Sequence, residues 1–105
     1  MNRIIVAKEF SIIPGGRFGT DGDHSGEEFR EKCLLPKFKS LRENETLLID
    51  LDGAYGYPTS FLEEAFGGLA RLVGAETVLK KLTFKSEEEP SLIDEIKDYI
   101  RNAKR

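Results

Sequence analysis

The sequence has 105 residues, 39% of them hydrophobic and 33% charged, which fits one folded domain over residues 1–105 with a wet surface and argues against a disordered chain. Lys and Arg number 16 against 19 Asp and Glu, a net charge of −3, so the basic excess that phosphate neutralisation demands of a nucleic-acid binder is missing. Cys33 is the only cysteine, which rules out an internal disulfide and fits a reducing, cytoplasmic setting, and no apolar run is long enough to predict a membrane span.

In chain order, Ile4-Ile5-Val6-Ala7 is β-branched and predicts a strand. Phe10-Ser11-Ile12-Ile13 runs into the turn signal Pro14-Gly15-Gly16, so a hairpin between the two runs is expected. Residues 14–26 form a glycine-rich loop that ends in Ser25-Gly26-Glu27-Glu28, a capping box. The helix it opens places Phe29, Cys33, Leu34, Phe38 and Leu41 on one side, and Pro36 must end or kink it. Arg30, Lys32, Lys37, Lys39 and Arg42 read as its solvated face. Leu47-Leu48-Ile49-Asp50-Leu51 reads as a central strand covered on both faces. A second capping box, Ser60-Phe61-Leu62-Glu63, opens a helix with Leu62, Ala65, Phe66, Leu69 and Val73 at helical spacing. Gly67 and Gly68 lie mid-helix, where each costs about 1 kcal/mol against alanine, so close packing on that face is expected. Val78 to Phe84 predicts a further strand, and Ser91 a cap for a last helix with Leu92, Ile93, Ile96, Tyr99 and Ile100 inward. The alternation gives an α/β fold with a mixed or mostly parallel sheet of about four strands and about three helices.

Several chemistries fail on these residues. Asp21, Asp23, Ser25 and Gly26 match the first positions of a calcium loop, but Lys32 stands where a bidentate glutamate is required. His24 is the lone histidine, with no second ligand at zinc spacing, so no metal and no cofactor is expected. There is no nucleophile elbow, and Cys33 sits in an apolar helical pattern, so the chain reads as a non-enzyme. Gly15, Gly16, Arg17 and Ser25 could form an anion site at a helix start, although neither a Walker loop nor a dinucleotide fingerprint is present. Arg17 is expected to fold back toward the helix N-terminus or onto the carboxylates Asp21 and Asp23.

The stretch Asp50-Leu51-Asp52-Gly53-Ala54-Tyr55-Gly56-Tyr57-Pro58-Thr59-Ser60-Phe61-Leu62 carries the most information. A strand, a loop and a hydroxyl-bearing helix start resemble the STAS domains of anti-sigma factor antagonists. Further segments look like the STAS-like DUF4325 family: Pro14-Gly15-Gly16-Arg17-Phe18, Asp21-Gly22, Ser25-Gly26-Glu27-Glu28-Phe29-Arg30 and Ser60-Phe61-Leu62-Glu63-Glu64-Ala65-Phe66-Gly67-Gly68-Leu69. Nearly the whole chain takes part. Where STAS proteins carry an aspartate and a glycine around their serine, this chain has Pro58 and Phe61, and Glu63 and Glu64 replace small apolar residues.

The resemblance implies a small STAS-like domain that regulates by binding a protein partner of the GHKL-type ATPase or anti-sigma-like kinase class, as in bacterial partner switching. It implies Ser60, with Thr59 beside it, as the phosphorylated position; a plain capping role for Ser60 stands beside that reading. The docking surface implied is Tyr55, Tyr57, Pro58, Phe61, Glu63 and Glu64. A phosphate on Ser60 is expected to meet like charge from Glu63, Glu64 and Asp52. The alternative function is a small-ligand, nucleotide or anion sensor built on the Arg17 loop.

Overall fold

The structure is a computed structural model that describes residues 2–104. Three short strands, β1 (Arg3–Ile5), β2 (Leu47–Asp50) and β3 (Leu82–Lys85), form one sheet in that order. Both pairings are parallel, with Ile4 opposite Ile49 and Ile49 opposite Phe84. Parallel neighbours cannot be joined by a hairpin, so each connection leaves the sheet and returns through helices. The first connection holds one helical turn, α1 (Val6–Glu9), the glycine-rich loop, and α2 over residues 26–39. The second holds α3 over residues 59–73 and α4 (Ala75–Lys81), and α5 (Ser91–Arg101) follows β3.

The α/β class and the parallel sheet agree with the sequence, while the expected hairpin does not form. Val6 to Glu9 turn into a helix whose Val6 carbonyl accepts from Phe10 N and Ser11 N, both at 2.9 Å. Glu9 then accepts the Ile5 amide at 2.7 Å and closes the outer edge of β1. Phe10 is held by aromatic packing rather than by a ladder: its ring meets Phe29 at 5.2 Å and Phe61 at 6.2 Å. The strand expected from Val78 begins only at Leu82, because residues 75–81 are α4. Gly74, at φ 101, stops α3 and lets the chain restart at once in a helix of good formers such as Ala75, Glu76 and Lys80.

Burial along β2 alternates. Leu47 and Ile49 are fully buried while Leu48 and Asp50 are half-covered, so one face of this central strand is sealed and the other is not. The sealed face joins one core with Ile4, Phe29 and Leu34, the α3 residues Phe61, Leu62, Ala65, Phe66 and Leu69, and Ile96 and Ile100 of α5. Cys33 lies beside that core, half-buried, and burial pushes its thiol up from the ordinary range.

α2 passes through Pro36 without stopping. Proline has no N–H and crowds the carbonyl four residues back, and the chain relieves this with one wide turn over Arg30–Leu34, where Leu35 N donates to Arg30 O five residues earlier. α3 contains a second wide turn over Glu63–Gly67, with Gly68 N reaching Glu63 O. Both wide turns fall where the two helices carry their charged residues toward each other.

Candidate functional site

The loop after β2 emerges at the carboxyl edge of the sheet, where open α/β sheets place their ligands. Its backbone is fixed by side chains. Asp52 accepts Glu87 N and Glu88 N at 3.1 and 3.0 Å, which ties this loop to the one after β3 and holds the Asp52 carboxyl below its usual range. Glu88 returns the tie by accepting Gly53 N at 2.7 Å. Tyr57 donates its hydroxyl to Leu51 O at 2.9 Å, and desolvation raises its pKa well above that of a free tyrosine. Tyr55 N donates to Ile12 O at 2.8 Å, which joins the segment before the glycine-rich loop to the same edge. Three large apolar side chains are exposed here: Tyr55 at 84%, Ile13 at 62% and Ile12 at 46%.

Thr59 and Ser60 follow at the start of α3. The helix begins at Thr59, with Pro58 as its extended N-cap and no side-chain cap. The expectation that Ser60 caps the helix is therefore corrected: one residue inside the first turn, its hydroxyl cannot reach the amides that a true cap serves. Ser91 differs in the same way, since Pro90 holds the cap position of α5. Ser25 behaves as expected, accepting Glu28 N at 3.0 Å from a fully buried position. Glu28 in return takes His24 N at 3.2 Å rather than the Ser25 amide. Of the Ser60 neighbours, Pro58 and Thr59 are exposed and Ser60 is half-buried.

Phe61 and Glu64 cannot face a partner. Phe61 is fully buried in the core, and Glu64, 8% exposed, lies in a cluster of five charges that the sequence did not foretell. Arg30 Nη1 donates to Glu64 Oε2 at 2.6 Å and to the Glu64 carbonyl at 2.7 Å. Arg71 Nη1 binds Glu63 Oε2 at 2.6 Å, and Arg17 bridges Glu63 and Glu64. Arg71 and Arg17 hold the Glu63 carboxyl below its ordinary range. Arg30 thus leaves the solvated face assigned to it: a carbonyl loosened by the wide turn and a buried carboxylate give its fork three acceptors, counting Glu31. Gly68 makes room for it, since a Cβ there would stand 2.3 Å from Arg30 Nη1. At Gly67 a Cβ would meet Glu63 Oε2 at 2.7 Å and the Tyr99 carbonyl of α5 at 3.4 Å. The close packing expected of these two glycines is present. Glu64 and Arg71, seven apart, share one stripe of α3 and were the only legible part of the cluster.

Arg17 consequently does not turn to Asp21 or Asp23. Asp21 accepts Phe18 N at 2.9 Å instead. At the anion site expected from Gly15, Gly16, Arg17 and Ser25, the helix-start amides are engaged within the chain. Gly26 N and Glu27 N, the first amides of α2, give their hydrogens to Gly16 O and Arg17 O at 2.8 and 3.0 Å, and Glu28 N serves Ser25. Gly15 is required by close approach, because a Cβ would stand 2.4 Å from Asp23 O. Among the described residues no group of three or more His, Cys, Asp or Glu converges as a metal site, and no helix is long and apolar enough to cross a membrane.

A parallel three-stranded sheet with helices in both connections, and a strand–loop–helix junction at its carboxyl edge, define a STAS-like α/β domain. The chain belongs to the family described as "STAS-like domain of unknown function (DUF4325)", which matches residues 25–92. Comparison with curated proteins and with solved structures returns no match.

Proposed function

We propose that this domain is a non-catalytic, cytoplasmic regulatory module of bacterial type that docks a protein partner through the carboxyl edge of its sheet. In this reading the partner is a GHKL-type ATPase or anti-sigma-like kinase, and phosphorylation of Ser60 or Thr59 switches the contact. The observation that carries the reading is the exposed patch of Tyr55, Ile12 and Ile13, held on a hydrogen-bonded loop next to the Thr59–Ser60 turn. Exposed apolar side chains scattered singly need no explanation, whereas a tyrosine and two isoleucines on joined segments beside a hydroxyl pair fit an interface anchor. Pro58 adds an exposed rim, while Tyr57 supports the loop from within.

The test is incubation with a candidate GHKL-type ATPase and ATP, followed by mass-spectrometric mapping and titration calorimetry. The reading expects phosphate on Ser60 or Thr59, loss of label in the Ser60→Ala, Thr59→Ala double variant, and weaker partner binding for Tyr55→Ala and Ile13→Ala. Label elsewhere, or unchanged affinity for both patch variants, refutes it.

A further inference from the structure

The two loops joined by Asp52 enclose a cavity of about 210 Å³ at the carboxyl edge of β2 and β3. Leu51 and Leu92 contribute apolar wall, Asp52, Glu88 and Glu89 bring carboxylates, and Tyr55 stands at the rim. Resting on the docking reading above, we infer that this cleft seats an arginine side chain of the protein partner, with the residues flanking that arginine lying on Ile12, Ile13 and Tyr55.

The argument is one of donors, acceptors and charge. Five donors around the cleft are already engaged. Tyr57 gives its hydroxyl to Leu51 O, Ser86 gives its hydroxyl to Glu89 O at 2.6 Å, and Gly53, Glu87 and Glu88 give their amides to carboxylates in the wall. What the cleft still offers is acceptors. The Glu89 carboxylate has no partner in the network that binds Asp52 and Glu88. The nearby cation Lys85 is directed to Asp50, at 3.8 Å. A phosphate or other anion would enter a wall of its own sign, whereas a guanidinium brings five donors, no acceptor and a permanent positive charge. Its planar face also suits the exposed Tyr55 ring, and its aliphatic stem suits Leu51 and Leu92. Tyr55 lines the acidic cleft and its amide is bonded to Ile12 O, so the apolar segment is tied to the cleft's rim, an arrangement that suits a basic residue between apolar ones.

The probe is the peptide acetyl-Leu-Arg-Leu-amide, with its citrulline counterpart as the neutral isostere, titrated into the ¹⁵N-labelled full chain and followed by NMR. The arginine peptide should shift the amides of residues 52–57 and 86–92 with a dissociation constant of about 1 mM at low salt. The citrulline peptide should bind about tenfold more weakly, and added salt should weaken only the arginine peptide. Glu89→Gln should weaken binding roughly threefold and Glu89→Lys should abolish it, with both variants keeping the parent's thermal midpoint, since the Glu89 side chain supports no other contact. Equal binding of the two peptides, shifts confined to other residues, or full binding by Glu89→Lys would overturn the inference. So would sedimentation showing that the chain self-associates through this cleft, because the occupant would then be a second copy. The two proposals fail separately. A cleft that binds arginine in a protein never phosphorylated at Ser60 or Thr59 removes only the switch. A phosphorylated protein whose Glu89→Lys variant binds its ATPase normally removes only the arginine seat.

Discussion

Replacing Gly68 with alanine tests whether the buried charges are a fixed part of the packing between α2 and α3. The added Cβ would stand 2.3 Å from Arg30 Nη1 and 3.2 and 3.3 Å from its Cζ and Cδ. A loose arginine would swing aside at little cost, but Arg30 is held by the Glu64 carboxylate, the Glu64 carbonyl and Glu31. Displacing it strips one partner from a carboxylate that is almost out of water, a loss of about 3 kcal/mol. Against this, alanine for glycine inside a helix stabilises by about 1 kcal/mol. Gly68→Ala should therefore destabilise by about 2 kcal/mol, and Arg30→Ala alone by about 3 kcal/mol. With Arg30 already removed the obstacle is gone, so Gly68→Ala should then stabilise by about 1 kcal/mol, giving a coupling of about 3 kcal/mol around the cycle. Urea midpoints with unchanged slopes would measure all four proteins. If Gly68→Ala costs the same with and without Arg30, the glycine serves something other than the arginine, and the reasoning fails.

The other predictions concern backbone contact, caps and acid. Gly26→Ala would place a Cβ 2.4 Å from the Phe61 carbonyl, a backbone atom that cannot rotate away, and should cost about 1–3 kcal/mol in a thermal or urea melt. Ser25→Ala should cost about 1 kcal/mol by orphaning the Glu28 amide, whereas Ser60→Ala should change stability by no more than about 0.5 kcal/mol; equal losses would show that Ser60 caps after all. Glu63 holds its carboxyl below the ordinary 4.5, chiefly through the hydrogen bond from Arg71. A depressed folded pKa means its stabilisation is complete above pH 4.5 and is lost as pH falls through the folded value, so Glu63→Gln should flatten the acid limb of a urea-midpoint profile. Superimposable acid limbs for the parent and Glu63→Gln would exclude this.

What the sequence revealed was periodic and local. The three long helices, the strand at Leu47, the Ser25 cap and the inward stripes of α3 and α5 all follow from spacing over a few residues. The errors have physical causes. Thr77 and Val78 favour a strand, yet Gly74 and the helix formers around them decide for α4. Ile12 and Ile13 resemble a second strand, but no neighbouring strand offers them a ladder, and they remain exposed. Pro58 set the start of α3 two residues earlier than a Ser60 cap would, because its fixed φ and missing amide suit a helix entrance, and Ser60 lost the cap with that shift. The charge cluster was hidden because Arg17, Arg30 and Glu64 meet only through tertiary packing, and the cleft because Glu88 and Glu89 looked like an ordinary acidic loop.

The cluster also changes what a phosphate on Ser60 would meet. By sequence, Glu63 and Glu64 follow Ser60 at three and four residues, on the same helix face, and should repel an added anion. In the fold those two carboxylates are paired with three arginines, one of which also binds Glu31, so the two carboxylates are already neutralised and the cluster with Glu31 is balanced in charge. A phosphoserine brings about −1.5 to −2 charge. It would therefore sit one helical turn from carboxylates already paired with arginines rather than from a pair of bare anions. Arg17 is the member best placed to respond. It comes from the glycine-rich loop, its side chain is one-third exposed, and its contacts to Glu63 and Glu64 are shared with Arg71 and Arg30. Moving Arg17 toward a phosphate would leave both carboxylates still paired while releasing the loop that follows Ile12 and Ile13. Under the switching reading, the route from Ser60 to the docking patch then runs through Arg17, and an Arg17→Gln variant should be phosphorylated normally yet fail to change partner affinity. If that variant switches as the parent does, the coupling lies elsewhere and the cluster is structural only.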